Sequence, residues 1–320
     1  MAARIERTLP TRFELPTARS SKQILLCVFD VLCQSPFCEL NQDQIRTYKN
    51  EISPLKDLKE ESDKYLLIAD KLSKIAFAIL TKEMRQNDCA FDIFLNSPCH
   101  EAMKDLNQVY QEIFYLYFEK EDIGKSIDIA KKMTTGESQD LLFVKIARYY
   151  LQKNNPKAAS EIVREELGCS FSKQEKLFTE IAKYYLQKDK PEAAAKIVRE
   201  DLKYSSSKQE KLFIEIAEYY LQKDKPEAAA KIVREDLKYS SSKQEKLLVE
   251  IAEYYLQKDK PEAAAKIVRE DLKYSSSKQE KLLVEIARAF LRDGKKLQAE
   301  NTASSISNAT LKKKILSEIE

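Results

Sequence analysis

Gln209–Lys243 reads QEKLFIEIAEYYLQKDKPEAAAKIVREDLKYSSSK, and Gln244–Lys278 repeats it with Leu248 for Phe213 and Val249 for Ile214. Gln174–Lys208 differs from the first stretch only at Thr179 and Lys183. Gln139–Lys173 and Gln279–Lys313 are diverged copies in the same frame. A period of 35 residues marks a stacked array rather than ordinary globular domains. Such arrays build extended surfaces suited to gripping partners. Near-identity of the middle copies means recent tandem duplication or designed amplification of a parent unit.

One copy supplies the local structure. Leu248, Ile251, Ala252 and Tyr255 fall at i, i+3, i+4 and i+7, one face of a first helix. Ser242 and Glu245 have the Ser-x-x-Glu spacing of a capping box at its start. Lys258–Asp259–Lys260 breaks the pattern. Asp259 is placed to cap a second helix, and Pro261 fits its first turn, where a missing N–H costs little. Ala264, Ile267, Val268 and Leu272 mark the buried face of that helix. Tyr255 reads as core and Tyr254 as packing toward the next unit. A single helix hairpin cannot cover its own apolar face, so its neighbours must supply the rest of the core.

Outside the array the chain is less regular. Residues 1–21 read as a loose arm with Pro10, Pro16 and four arginines. Residues 22–103 read as a helical N-terminal domain, with helices expected over Ser21–Gln34 and Ser62–Glu83 and a break over Asp88–Pro98. Ser35–Pro54 gives mixed signals. Glu101–Lys120 and Ile123–Met133 form a helix pair that reads as a degenerate first repeat. The repeats then run over 104–138, 139–173, 174–208, 209–243, 244–278 and 279–313, and 314–320 ends a capping helix. The last copy is wetter, with Gly294, Asn301, Thr302, Ser304 and Ser305, as a terminal unit must be.

These units resemble the tetratricopeptide repeat. Leu248 stands at the first large apolar place, Ile251–Ala252 at the large–small pair, and Tyr255 at the tyrosine. Ala264 and Val268 stand at the alanine and the bulky place of the second helix. The resemblance covers about residues 106–313. It implies an all-α, right-handed solenoid of antiparallel helix hairpins, preceded here by an irregular helical domain. Departures are the absence of tryptophan, Asp271 at a usual alanine place, a unit of 35 residues and no terminal proline. The unit length is also similar to that of the pentatricopeptide repeat, a family that reads single-stranded RNA.

Composition narrows the chemistry. Charged residues make up 33% of the chain, yet net charge is only +3. Gln244–Lys278 balances 7 basic against 7 acidic side chains. Nucleic-acid affinity needs several phosphate contacts from Lys and Arg, and a neutral unit offers no basic stripe. Cysteines 27, 33, 38, 89, 99 and 169 lack metal-ligand spacing, and His100 is the one histidine. The cysteines read as thiols of a reducing, cytoplasmic compartment, with signal-less export left open. No run of 18 apolar residues predicts a membrane span. No phosphate loop, nucleophile set or histidine cluster is present, so no enzyme, cofactor or metal is expected. Carboxylates recur in every unit, as a solvated helix face does.

The resemblance implies that the first helix of each unit faces a concave groove. One place along its edge varies: Arg148, Lys183, Glu218, Glu253 and Arg288. A neighbouring place reads Val144, Thr179, Ile214, Val249 and Val284. Ile214, Leu221, Val249 and Leu256 form an apolar strip. Gln152, Gln187, Gln222 and Gln257 sit where they can bond a ligand's backbone. The expected function is a protein-binding scaffold for an extended peptide or partner helix. The alternatives are packing of these residues between helices in a structural spacer, RNA binding, and an enzyme in the N-terminal part. Near-identical repeats also invite end-to-end or swapped self-association.

Overall fold

The computed structural model describes residues 20–35, 38–86, 97–134, 136–167, 170–237, 241–272 and 277–319. Every regular element among them is an α-helix. The chain separates into two compact units, Met1–Ile146 and Ala147–Glu320.

The first unit holds α1 (Ser21–Gln34), α2 (Gln42–Ile52), α3 (Ser62–Gln86), α4 (Pro98–Glu119), α5 (Ile123–Lys132) and the start of α6 (Glu137–Gln152). Helix α1 begins at Ser20, whose hydroxyl accepts from the Gln23 N–H while the Gln23 carboxamide accepts from the Ser20 N–H. Asn41 and Gln44 start α2 the same way, inside the stretch with mixed sequence signals. Helix α4 starts before the expected Glu101, because Ser97 caps it and Pro98 fits its first turn. Leu25, Phe29, Leu32, Leu72, Ile113 and Phe114 are fully buried where α1, α3 and α4 pack together. The buried Tyr110 hydroxyl donates to Asp70 at 2.9 Å, and Lys132 meets the same carboxylate. Burial and that carboxylate push the Tyr110 phenol well above its ordinary pKa. The expected break over Asp88–Pro98 and the arm lie almost wholly outside the described residues.

The second unit is built of repeated hairpins. After the end of α6 comes α7 (Pro156–Glu166). Then α8 (Phe171–Gln187) pairs with α9 (Pro191–Asp201), and α10 (Ser206–Gln222) with α11 (Pro226–Asp236). Next α12 (Ser241–Gln257) pairs with α13 (Pro261–Asp271), and α14 (Ser277–Arg292) with α15 (Lys296–Ser304). Helix α16 (Ala309–Ile319) lies against the last pair. Leu248, Ile251, Ala252, Tyr255, Ala264, Ile267, Val268 and Leu272 are all buried, as their spacing requires. Each buried Leu, Ile or Val contributes about 1.5–3 kcal/mol before entropy is subtracted.

The hairpin turn corrects one expectation. Asp259 does not cap α13, since its backbone is left-handed with φ 52° and Lys260 occupies the cap position without a side-chain bond. Asn154, Asp189 and Asp224 hold the same conformation, and Gly294 takes that place in the last hairpin at φ 71°. The reason lies in the backbone bonds. Asp259 N–H reaches Leu256 O at 3.1 Å and Lys260 N–H reaches Tyr255 O at 2.9 Å. This pair of bonds ends a helix with one left-handed residue, a role that Gly fills most easily and Asn or Asp tolerates. Pro261 then opens the next helix as expected.

The start of the first helix departs as well. Helix α12 begins at Ser241, so Ser242 lies inside its first turn rather than ahead of it. In the preceding copy the cap position is Ser205, which makes no side-chain cap bond. The capping-box spacing is therefore not used there. A glutamine acts instead on the helix before. Gln209 Nε2 donates to Val198 O at 3.0 Å, Gln174 to Val163 O at 3.3 Å and Gln244 to Val233 O at 3.3 Å. Each bonds a carbonyl near the end of the previous second helix, where carbonyls begin to lose their intrahelical partners; the Val233 carbonyl also accepts from the Leu237 N–H at 3.3 Å.

Candidate functional site

Neighbouring hairpins are tied by side chains that recur with the repeat, and these ties fix which edge of each first helix faces which neighbour. Tyr219 Oη donates to Asp189 at 2.6 Å and Tyr254 Oη to Asp224 at 2.7 Å, each on the preceding hairpin. Tyr254 therefore points to the previous unit, not the next, because the left-handed turn leaves Asp224 facing forward. Lys243, on the following hairpin, pairs with Glu210. So the Glu215–Tyr219 edge of α10 faces backward and the Glu210 edge faces forward. Ile214 and Leu221 follow Glu210 at helical spacing, on the forward-facing stripe.

The proposed groove residues fall into three groups. Ile214, Leu221 and Leu256 are half-buried, and Val249 is buried at 5% exposure. Val144, in the first unit, is half-buried too. Gln152, Gln187, Gln222 and Gln257 are exposed at the ends of their helices. The variable charged place is exposed in all its copies, Arg148, Lys183, Glu218, Glu253 and Arg288.

Those charges do different things along the array. Arg148 donates through Nε and Nη2 to both Glu180 oxygens at 3.0 and 2.8 Å. Lys183 reaches Glu215 at 3.3 Å, and Arg288 grips Glu318 on α16 with two bonds of 2.9 Å. The hydrogen bonds from Arg288 hold the Glu318 carboxyl below its usual range. At these junctions a cation crosses from one first helix to the next helix in line. Glu218 has no such role, because its counterpart on α12 is Glu250, which lies 3.5 Å from Lys246 of its own helix. The middle of the face is thus acidic, while its ends spend their cations on the protein itself.

Other side chains were not singled out by sequence. Arg164, Arg199 and Arg234 each grip an aspartate 37 residues on, Asp201, Asp236 and Asp271, with paired bonds of 2.6–2.8 Å. Asp271, which departs from the tetratricopeptide pattern, is the carboxylate that this arginine needs. Arginine and aspartate at one fixed offset are the sequence signal for the ladder. Cys99 is buried and Cys27, Cys33 and Cys38 are half-buried free thiols. Among the described residues no group of three His, Cys, Asp or Glu could hold a metal ion. No helix among them is long and apolar enough to cross a membrane.

The geometry decides the class. The second unit is an all-α array of helix hairpins. No protein-family description matches it, and no curated protein matches it. Solved structures do align with it. Pseudomonas aeruginosa pilF is 13% identical over 68% of this chain and 99% of its own, at a TM-score of 0.27. A putative kinesin light chain from Podosopora anserina with nearly identical TPR-like repeats is 14% identical over 56% of this chain and 95% of its own, at 0.26. A tetratricopeptide repeat protein from Parabacteroides merdae is 13% identical over 86% and 99%, at 0.26.

Proposed function

We propose that the tetratricopeptide-like array is a non-enzymatic scaffold whose first-helix face binds an extended peptide or a partner helix. The supporting observation is the pairing of half-buried Ile214, Leu221 and Leu256 with an exposed charged edge that turns acidic at Glu218 and Glu253. Apolar side chains would seat the ligand, the charged edge would set its register, and Gln187, Gln222 and Gln257 would bond its backbone. A neutral, acid-centred face does not suit RNA.

The test is affinity capture, with and without nuclease, using the parent chain and a Leu221→Lys, Glu253→Lys, Leu256→Lys variant shown to be folded by circular dichroism. A nuclease-resistant protein bound by the parent and lost by the variant is the expected result. Equal capture by both chains would remove this face from the function. The second reading is a spacer. The Arg–Asp ladder favours it, since three copies of the array spend their arginines on each other.

A further inference from the structure

A cavity of about 500 Å³ opens where one hairpin hands over to the next, between the start of α8 and the end of α9. It shares no residue with the first-helix face described above. Two aromatic rings stand at its rim. Phe171 is 67% exposed and Tyr204 is 79% exposed, against 2% for Phe178, the other aromatic side chain of the lining. Their centroids lie 6.4 Å apart with planes at 90°, an edge-to-face pair. The Lys203 ammonium sits 4.9 Å from the Tyr204 ring centre.

Three charged groups of the walls, Arg164, Asp201 and Glu175, are already engaged. Arg164 is held by both oxygens of Asp201 and lies over the Phe178 ring. Glu175 takes Lys208, and Gln174 donates its amide to Val163 O at 3.3 Å. A ligand carboxylate aimed at Arg164, or a cation aimed at Asp201 or Glu175, would have to break one of these bonds. A neutral ring breaks none, and it adds a third aromatic to an exposed edge-to-face pair. The cavity volume lies within the range of small ligand pockets, about 300–1,000 Å³.

The array contains its own control. One repeat on, a cavity of about 430 Å³ has Ser206 where this one has Phe171. Phe171 is therefore an addition at this junction rather than a need of the fold, while the tyrosine recurs as Tyr239 and Tyr274. We propose that the Phe171–Tyr204 cavity binds an aromatic side chain presented by a partner polypeptide.

The chain contains no tryptophan, so an indole probe is read without background. The experiment titrates the full chain into acetyl-Gly-Trp-Gly-amide and follows the blue shift and anisotropy of its emission. Saturable binding is expected, with affinity falling about ten-fold in Phe171→Ser and in Tyr204→Ser. Phe171→Ser installs the residue the array uses one repeat later, so folding is preserved, as circular dichroism would verify. Acetyl-Gly-Phe-Gly-amide should compete, and acetyl-Gly-Glu-Gly-amide and acetyl-Gly-Lys-Gly-amide should not. Absence of saturation, unchanged affinity in both variants, or equal competition by the charged peptides would each overturn the assignment.

Discussion

Arg199 donates through Nε and Nη2 to both carboxylate oxygens of Asp236, at 2.7 and 2.6 Å, across the junction between two hairpins. The Asp236 side chain is only 8% exposed, while Arg199 is 42% exposed. Planar, two-pronged pairing is the geometry at which arginine exceeds lysine. The carboxylate holds the guanidinium even more firmly protonated than usual.

Asp236→Ala leaves that arginine without its fork and should destabilise the array by about 1–3 kcal/mol. Arg199→Lys should recover little, because an ammonium lacks the rigid planar fork that matches the carboxylate. Urea unfolding of the two variants checks this, and a double-mutant cycle isolates the pair from its surroundings. A coupling near zero would assign the cost to packing alone.

Stability should fall at high pH through the tyrosines of the first helices. Tyr220 is buried and donates to Glu192 at 2.8 Å. Burial and that carboxylate raise its phenol above the ordinary value of 10.0, and Tyr255 beside Glu227 is raised for the same reasons. A raised folded pKa stabilises fully below the unfolded value and loses its effect as pH climbs through the folded one. The thermal midpoint should therefore drop between about pH 9.5 and about pH 11.5. The Tyr220→Phe, Tyr255→Phe variant should drop less over the same range. Parallel curves for the two proteins would contradict the assignment.

Gly294 carries the turn of the last hairpin at φ 71°, and a Cβ built there meets nothing within 4 Å. Only backbone strain should oppose a side chain. Gly294→Ala should cost about 1–2 kcal/mol, and Gly294→Asn less, since asparagine tolerates the left-handed region. Thermal unfolding of both variants gives the ordering, and equal midpoints would show that the turn relaxes.

Much of this was legible in the sequence because it is local or periodic. Leu248, Ile251, Ala252 and Tyr255 are buried because a helix repeats every 3.6 residues. Pro261 opens its helix because proline lacks the N–H that a first turn does not use. What sequence could not show was long in range or set by the backbone. Asp271 looked like a departure until its partner, Arg234, came into contact from the preceding hairpin. Asp259 resembled a cap by composition, yet its left-handed φ belongs to the end of the helix before it. Ser242 and Glu245 had capping spacing, but the helix starts two residues too early to use it. On the candidate face the basic ends and acidic middle were visible. Which cations the protein consumes itself, as Arg148 does with Glu180, was not.

The most direct measurement is site-specific photocrosslinking of a captured protein partner. A benzophenone side chain would replace Leu221 or Leu256 on the first-helix face, or exposed Lys231 on a second helix. Scaffold function through the first-helix face predicts covalent adducts at Leu221 and Leu256 and none at Lys231. Adducts at Lys231 alone, or equally at all three positions, would contradict it.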